Sequence, residues 1–366
     1  MITNPSVTAI LNTKQAMIVD LVSLTIRRGR VHQFDAGGNF TGVKEILDTV
    51  RWTSAPRALR TSPTAPDGGQ VYQPIAGIAY QRETLRSQGG AEVVQVNVSV
   101  AGNMPITLST QQNGTGAFAT TLAELALLGL LEGAKLEIDH AVVTYLPQTP
   151  VQAASATYGV LSPDPVRKFS GVVRVAQPDG VSVSMEAVDT LILGGGNVPR
   201  SAYSPLCRWE FCGAQLGTSR CIKPMKLADT GQLNVDNRAW THAVISNAFL
   251  TVVNSTLSMP YHIRTAAWGF LVPQDGPMMG MRIQLGRCIS SPDTGNWVWE
   301  IADTIPWTWS CDLAMIEYQC NKTDGSITNA NDVYTVGVGC IGWSEGPVNP
   351  FVNFGGADRM PKPEAT

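Results

Sequence analysis

Charge is scarce in this 366-residue chain: Lys, Arg, Asp and Glu together make up 15% of it, and the formal net charge is -3. Without a basic excess or a basic run, electrostatic capture of nucleic acid or of an anionic membrane is excluded as a leading function. No cationic segment leads into an apolar run at the N-terminus, MITNPSVTAILNTKQAMIVDL, and no apolar run reaches the length of a membrane span. The expectation is a soluble protein made in the cytoplasm, with no stable membrane insertion. Catalytic signatures are missing as well. There is no G-x-S-x-G elbow, no H-E-x-x-H pair and no acid pair in a glycosidase context. The glycines Gly194 to Gly196 are not followed by the Lys-Ser/Thr of a phosphate loop. His32, His140, His242 and His262 are scattered, and each reads as a packed or surface residue. An enzyme therefore has no residue set to stand on.

What the chain has is apolar residues, 44% of the total, with 35 glycines and 23 prolines between short β-branched segments. That pattern predicts a mainly β protein of small barrel- or sandwich-like domains in tandem. Strands are predicted at 92–100, 135–145, 170–175, 181–188 and 281–286. One helix is predicted over 120–132, apolar on nearly every side and stopped by Gly133. In GNWVWEIADTIPWTWS, period-two spacing puts Trp297 and Trp299, then Trp307 and Trp309, on strand faces that oppose one another across a hairpin. They serve as an aromatic core layer or as a platform for carbohydrate or peptide. The Gly- and Pro-rich stretch 191–205 reads as a linker. Residues 1–15 then form an N-terminal arm, 16–190 a β-rich region, and 206–366 a cysteine-bearing C-terminal region.

Seven cysteines is an odd number: Cys207, Cys212, Cys221, Cys288, Cys311, Cys320 and Cys340. In a reducing compartment this points away from a disulfide framework and toward metal ligation or burial. Only Cys207 and Cys212, as C-x4-C, approach a zinc knuckle. The wider spacings suit thiolates gathered from distant loops, as in iron-sulfur proteins. Spacing alone leaves an iron-sulfur site, a zinc site and buried free thiols open.

The order SAYSPLCRWEF, EYQCNKT, Cys340 and NPFVNFGGADRMP resembles the C-terminal signature of tailed-phage tail-tip and baseplate-hub proteins. That is the family of phage lambda tail tip protein L and of the hub proteins of gene transfer agents. The resemblance is specific from Tyr203 onward and looser in EGAKLEIDHAVVTYL and FSGVVRVAQPDGVSVSMEAVDTLI. It implies a virion structural protein without enzymatic activity, a homotrimeric hub that closes the tail tube and meets a distal tail protein and a central fibre or receptor-binding hub. It also implies an iron-sulfur cluster, [4Fe-4S], held by Cys207, Cys320, Cys340 and one more cysteine. The family commonly has C-x8-C after the first ligand, and here that position is Leu216. Cys221 is the favoured replacement and Cys212 its competitor, because a ligand at Cys212 demands a tight turn at Glu210 and Phe211. The cluster segments 206–221 and 318–360 would then clasp a β-rich insertion, 222–317, with Cys288 and Cys311 packing as small apolar side chains. The competing reading is a zinc-stabilised β-rich module that binds a cell-surface ligand through the tryptophans.

Overall fold

The computed structural model describes residues 17–61, 69–75, 79–86, 92–112, 114–145, 159–161, 165–189, 209–228, 240–253, 256–259, 269–290, 297–301 and 309–320. The protein is mainly β, and the chain forms two compact units. Unit 1 comprises Met1–Arg27, Leu47–Leu108 and Ala119–Asn197; unit 2 comprises Arg28–Ile46, Ser109–Phe118 and Val198–Thr366. The predicted arm and linker lie outside the described residues.

The longest strand is β1 (Met17–Phe34), joined by a tight turn to β2 (Phe40–Thr53). Asp35 makes the turn: its carboxylate accepts from the Gly37 and Asn39 amides at 2.9 and 2.8 Å. Gly38 supplies the left-handed backbone, φ +75°, that closes it. Hydrogen bonds from the Asn39 amide and side chain hold the Asp35 carboxyl below its ordinary pKa.

In unit 1, β1 pairs antiparallel with β9 (Lys135–Tyr145), from Met17 opposite Val143 to Thr25 opposite Lys135. β9 pairs with β11 (Val166–Pro178), β11 with β12 (Ser182–Asp189), β12 with β6 (Glu92–Ala101) and β6 with β5 (Ala79–Arg86). Short strands β3 (Leu59–Arg60), β4 (Val71–Pro74) and β10 (Gly159–Leu161) complete the row β2-β4-β3-β10-β9. Alternation does the sorting: Val19, Leu21, Leu136 and Ile138 are buried, while Asp20, Glu137 and His140 are partly exposed.

β7 (Pro105–Leu108) and β8 (Phe118–Thr121) make a two-stranded sheet that leads into helix α1 (Leu122–Leu127). The helix opens on a capping box: Thr121 accepts from the Glu124 amide at 3.3 Å, and the Glu124 carboxylate accepts from the Thr121 amide at 3.0 Å. It is shorter than the sequence predicts. Gly129, at φ +69°, turns the chain left-handed four residues before Gly133. Nor is it apolar all round, for Leu127 is exposed while Leu122 and Leu125 are fully buried.

In unit 2, the pairings of β13 (His242–Val253), β14 (Thr256–Met259), β17 (Trp297–Ile301), β16 (Ile283–Ser290), β15 (Phe270–Pro273) and β18 (Trp309–Glu317) run in that order and return to β13. Leu271, Ile283, Leu285, Trp299, Trp309 and Ile316 fill one core cluster. The expected tryptophan hairpin is therefore corrected. β17 pairs with β14 and β16, whereas β18 pairs with β13 and β15. Trp299 and Trp309 share a core without their strands being neighbours. Trp307 lies outside the described residues.

One close approach fixes β1 within unit 2. A Cβ on Gly29 would fall 1.9 Å from the Gly280 carbonyl oxygen, so β1 can pass the 277–280 turn only as glycine. Next to it the Arg28 guanidinium donates to the Ser109 carbonyl at 2.5 Å and to the Pro277 carbonyl at 3.3 Å.

Candidate functional site

Two groups of chemically capable side chains lie in unit 2. The first is made by the segment Trp209–Ala228, where a turn, a short helix and a return loop fold back on themselves. The Gly213 amide donates to the Glu210 carbonyl at 3.0 Å, which closes the turn through Phe211 and Cys212. Helix α2 (Gly213–Leu216) follows and ends at Gly217, φ +70°. The Ala214 amide then donates to the Cys221 carbonyl at 2.9 Å, drawing Cys221 back beside Cys212. Glu210 secures the loop, accepting from the Thr218 hydroxyl at its carboxylate and from the Ser219 hydroxyl at its carbonyl, at 2.6 and 2.9 Å.

Cys212 has φ 59° and ψ 15°, the one non-glycine residue at positive φ among the described residues. Left-handed backbone at a side chain without a polar cap costs about 1–3 kcal/mol and tends to mark a functional constraint. Cys212 and Cys221 are buried in the same core cluster, against which Cys320 also packs. Burial first, then the neighbouring Cys221 thiol, pushes the Cys212 pKa well above its ordinary value; a Thr241 hydrogen bond and Lys223 oppose the rise, and Cys320 adds to it. The tight turn at Glu210 and Phe211 that weighed against Cys212 is therefore present. Cys207 and Cys340 lie outside the described residues, and Leu216 is partly buried against the cluster. Cys311 is buried, its thiol pushed up to about 12 by burial and then by Asp275 and Asp312, which keeps it protonated and inert. Cys288 is partly buried, and both pack against the core as small side chains.

The second group went unseen in the sequence. His242 opens β13 directly opposite Glu317, the last residue of β18, so both side chains project from the same face. His32 joins them from β1. Its Nδ1 lies 3.0 Å from His242 Nε2 and 3.2 Å from Glu317 Oε1. All three are buried, at 6, 3 and 1% exposure. Arg282 Nε donates to Glu317 Oε2 at 2.8 Å, and its guanidinium lies 3.9 Å from the centre of the Phe270 ring. Phe34 and Phe40 pack against the two imidazoles.

Burial pulls the His32 pKa down; Glu317 opposes this, while Arg30 and Arg282 reinforce it. Burial, then His32 and Arg282, pulls His242 well below its ordinary value, so both rings are neutral at pH 7. A cavity of about 150 Å³ is lined by His32, His242, Glu317 and Cys212, among others, so the imidazoles and the thiol share one space. No local motif announces this, because His32 and His242 are 210 positions apart and meet through strand pairing alone. Of the other histidines, His140 pairs with Asp20 across β9 and β1 at 2.9 Å, and His262 lies outside the described residues.

No protein-family model and no curated protein matches the chain. Among solved structures, a chain of a particle described as "Virion of native gene transfer agent (GTA) particle" is similar at 16% identity and a TM-score of 0.49, with 91% of each chain covered.

Proposed function

We propose that this protein is a structural component of a phage-like tail tip, in which an iron-sulfur cluster clasps the C-terminal region. The observation that carries the reading is that Cys212 and Cys221 are buried in one core cluster and the partly buried Cys320, from a segment about a hundred residues on, packs against it. Thiolates converging from distant loops are the donor set an iron-sulfur cluster takes. A cluster bonded on both sides of the unit 2 strands would close them at their base, adding its binding free energy to folding. Because the Cys212 thiol is pushed up, cluster binding there must displace a proton, so assembly would weaken as pH falls.

The ligands are Cys207, Cys221, Cys320 and Cys340, with Cys212 in competition for the place given to Cys221. Cys212's left-handed backbone speaks for that competitor. The protein would act as a homotrimeric hub at the end of the tail tube, between a distal tail protein and a central fibre. A closed three-fold ring of this kind needs two different, mutually complementary surfaces on each subunit, not one self-complementary patch.

Anaerobically purified protein should be brown, with iron and sulfide in comparable amounts, and Cys320→Ser should lose the colour. Cys212→Ser and Cys221→Ser should differ, the ligand alone bleaching the cluster. Colourless protein holding stoichiometric zinc sinks the iron-sulfur reading. The hub reading is tested by its mass in solution and by imaging of the assembled particle: a stable monomer absent from tails would end it. The alternative, a tryptophan-lined binding platform, loses two of its residues, for Trp299 and Trp309 are 0 and 4% exposed.

A further inference from the structure

We infer that His32, His242 and Glu317 form a mononuclear site for a divalent cation of the zinc class, separate from the cysteine cluster. Three donor atoms, His32 Nδ1, His242 Nε2 and Glu317 Oε1, converge with edges of 3.0 and 3.2 Å from His32 Nδ1 to the other two. Tetrahedral ligands bonded to zinc at about 2.0–2.1 Å stand about 3.3 Å apart, so one face of such a tetrahedron is close to built. All three ligand atoms lie within 4.8 Å of one another.

Proton bookkeeping around the triad leaves a deficit that a cation would fill. Thr241 Oγ1 accepts from the Lys226 amide at 2.9 Å and lies 3.3 Å from the Lys226 carbonyl, to which its hydroxyl donates. Thr241 Oγ1 also lies 2.8 Å from His242 Nδ1 and so fixes the orientation of that ring. His242 Nε2 and the Glu317 carboxylate both face His32 Nδ1, and the edge between the two imidazoles takes one proton whichever ring carries it. Glu317 Oε1 has no hydrogen-bond donor among the described residues, although the residue is 1% exposed. A buried carboxylate oxygen left in that state is costly, and a bound cation removes the cost.

The surroundings also suit a metal. Arg282 holds Oε2 and so aims Oε1, and Thr241 orients the His242 ring, the outer contacts that ligating carboxylates and imidazoles ordinarily have. The remaining position would open on the shared cavity, with room for water or a small oxygen ligand. The chemistry is nitrogen and oxygen, which distinguishes this site from the thiolate cluster.

The test is titration of full-length, anaerobically purified protein with Zn²⁺ and, as a spectroscopic probe, Co²⁺. One equivalent per chain should bind, and the Co²⁺ form should show visible ligand-field bands without sulfur-to-cobalt charge transfer. Glu317→Gln and His32→Gln, which conserve volume, should weaken binding by about tenfold or more with an unchanged circular dichroism spectrum, and Arg282→Met should weaken it by about tenfold. Cys320→Ser should lose the brown colour and keep the cobalt bands, so the two sites fail independently. Absence of uptake by folded wild-type protein, wild-type affinity in folded Glu317→Gln and His32→Gln, or bands dominated by thiolate charge transfer would each overturn the site.

Discussion

The two units bury different things. In unit 1 the core is hydrocarbon without a thiol or an imidazole: Val19, Leu21, Leu59, Leu136, Ile138 and Val183 fill it together with Trp52 and Phe169, and Asp48 and Asp139 are its buried carboxylates. In unit 2 the core holds Cys212, Cys221 and Cys311 beside Trp299 and Trp309, with a neutral imidazole pair and a carboxylate near them. A hydrocarbon core is held by shape and area removed from water. A core of thiols, imidazoles and a carboxylate stays costly until each group finds its proton, partner or metal. Unit 1 should therefore be indifferent to metal and redox conditions, and unit 2 should not.

Large-to-small substitutions should break that comparison most visibly. Leu136→Ala, at a fully buried position of β9, should cost about 2–5 kcal/mol, and Trp299→Ala in unit 2 about 3–5 kcal/mol, read by denaturant unfolding. The discriminating measurement is thiol alkylation under native conditions. Trp299→Ala should speed labelling of Cys212, Cys221 and Cys311, and Leu136→Ala should leave it at the wild-type rate. Equal acceleration in both variants would mean that the two cores are not energetically separate.

Period-two patterns carried much of unit 1 into view: the predicted β9 has the observed bounds, and β6, β11 and β12 are shifted or extended by a few residues. The ends of the helix were less legible, since Gly129 and Gly133 both adopt left-handed backbone and sequence cannot say which acts first. Unit 2 was harder to read. Its strands pair out of chain order, so adjacent tryptophan pairs suggested a hairpin that the β17 and β18 pairings exclude. The thiols could be nominated because cysteine is rare and spaced distinctively. His32 and His242 could not, because nothing local distinguishes a histidine on a strand until its partner 210 residues away arrives beside it.

A middle-sized effect concerns how β1 reaches that partner. Gly29→Ala puts a Cβ against the Gly280 carbonyl, and either β1 or the turn must shift, at about 1–3 kcal/mol. Because His32 follows three residues later, the same variant should also weaken Zn²⁺ uptake. Loss of stability with undiminished uptake would show that the glycine contact and the triad are independent. In unit 1, Thr121→Ala removes the cap of α1 and should cost about 1 kcal/mol with no effect on metal binding.

The smallest effect is electrostatic and belongs to unit 1. Burial pulls the Glu137 carboxyl up, but hydrogen bonding from Lys135 and the charge and hydrogen bond of Arg167 outweigh it, so its folded pKa falls below the ordinary 4.5. A carboxylate shifted this way contributes stability that is complete above its unfolded value and is lost as pH drops below about 4.5 through the lower folded value. Arg167 also bonds Asp139 and is about half exposed, so solvent screening holds the contribution of its Glu137 pair to no more than about 1 kcal/mol. Arg167→Met should thus lower the melting temperature slightly at pH 7 and flatten its decline between pH 5 and 3. If the decline keeps its wild-type slope, Lys135 alone holds Glu137, and the charged margin of unit 1 contributes less than its geometry suggests.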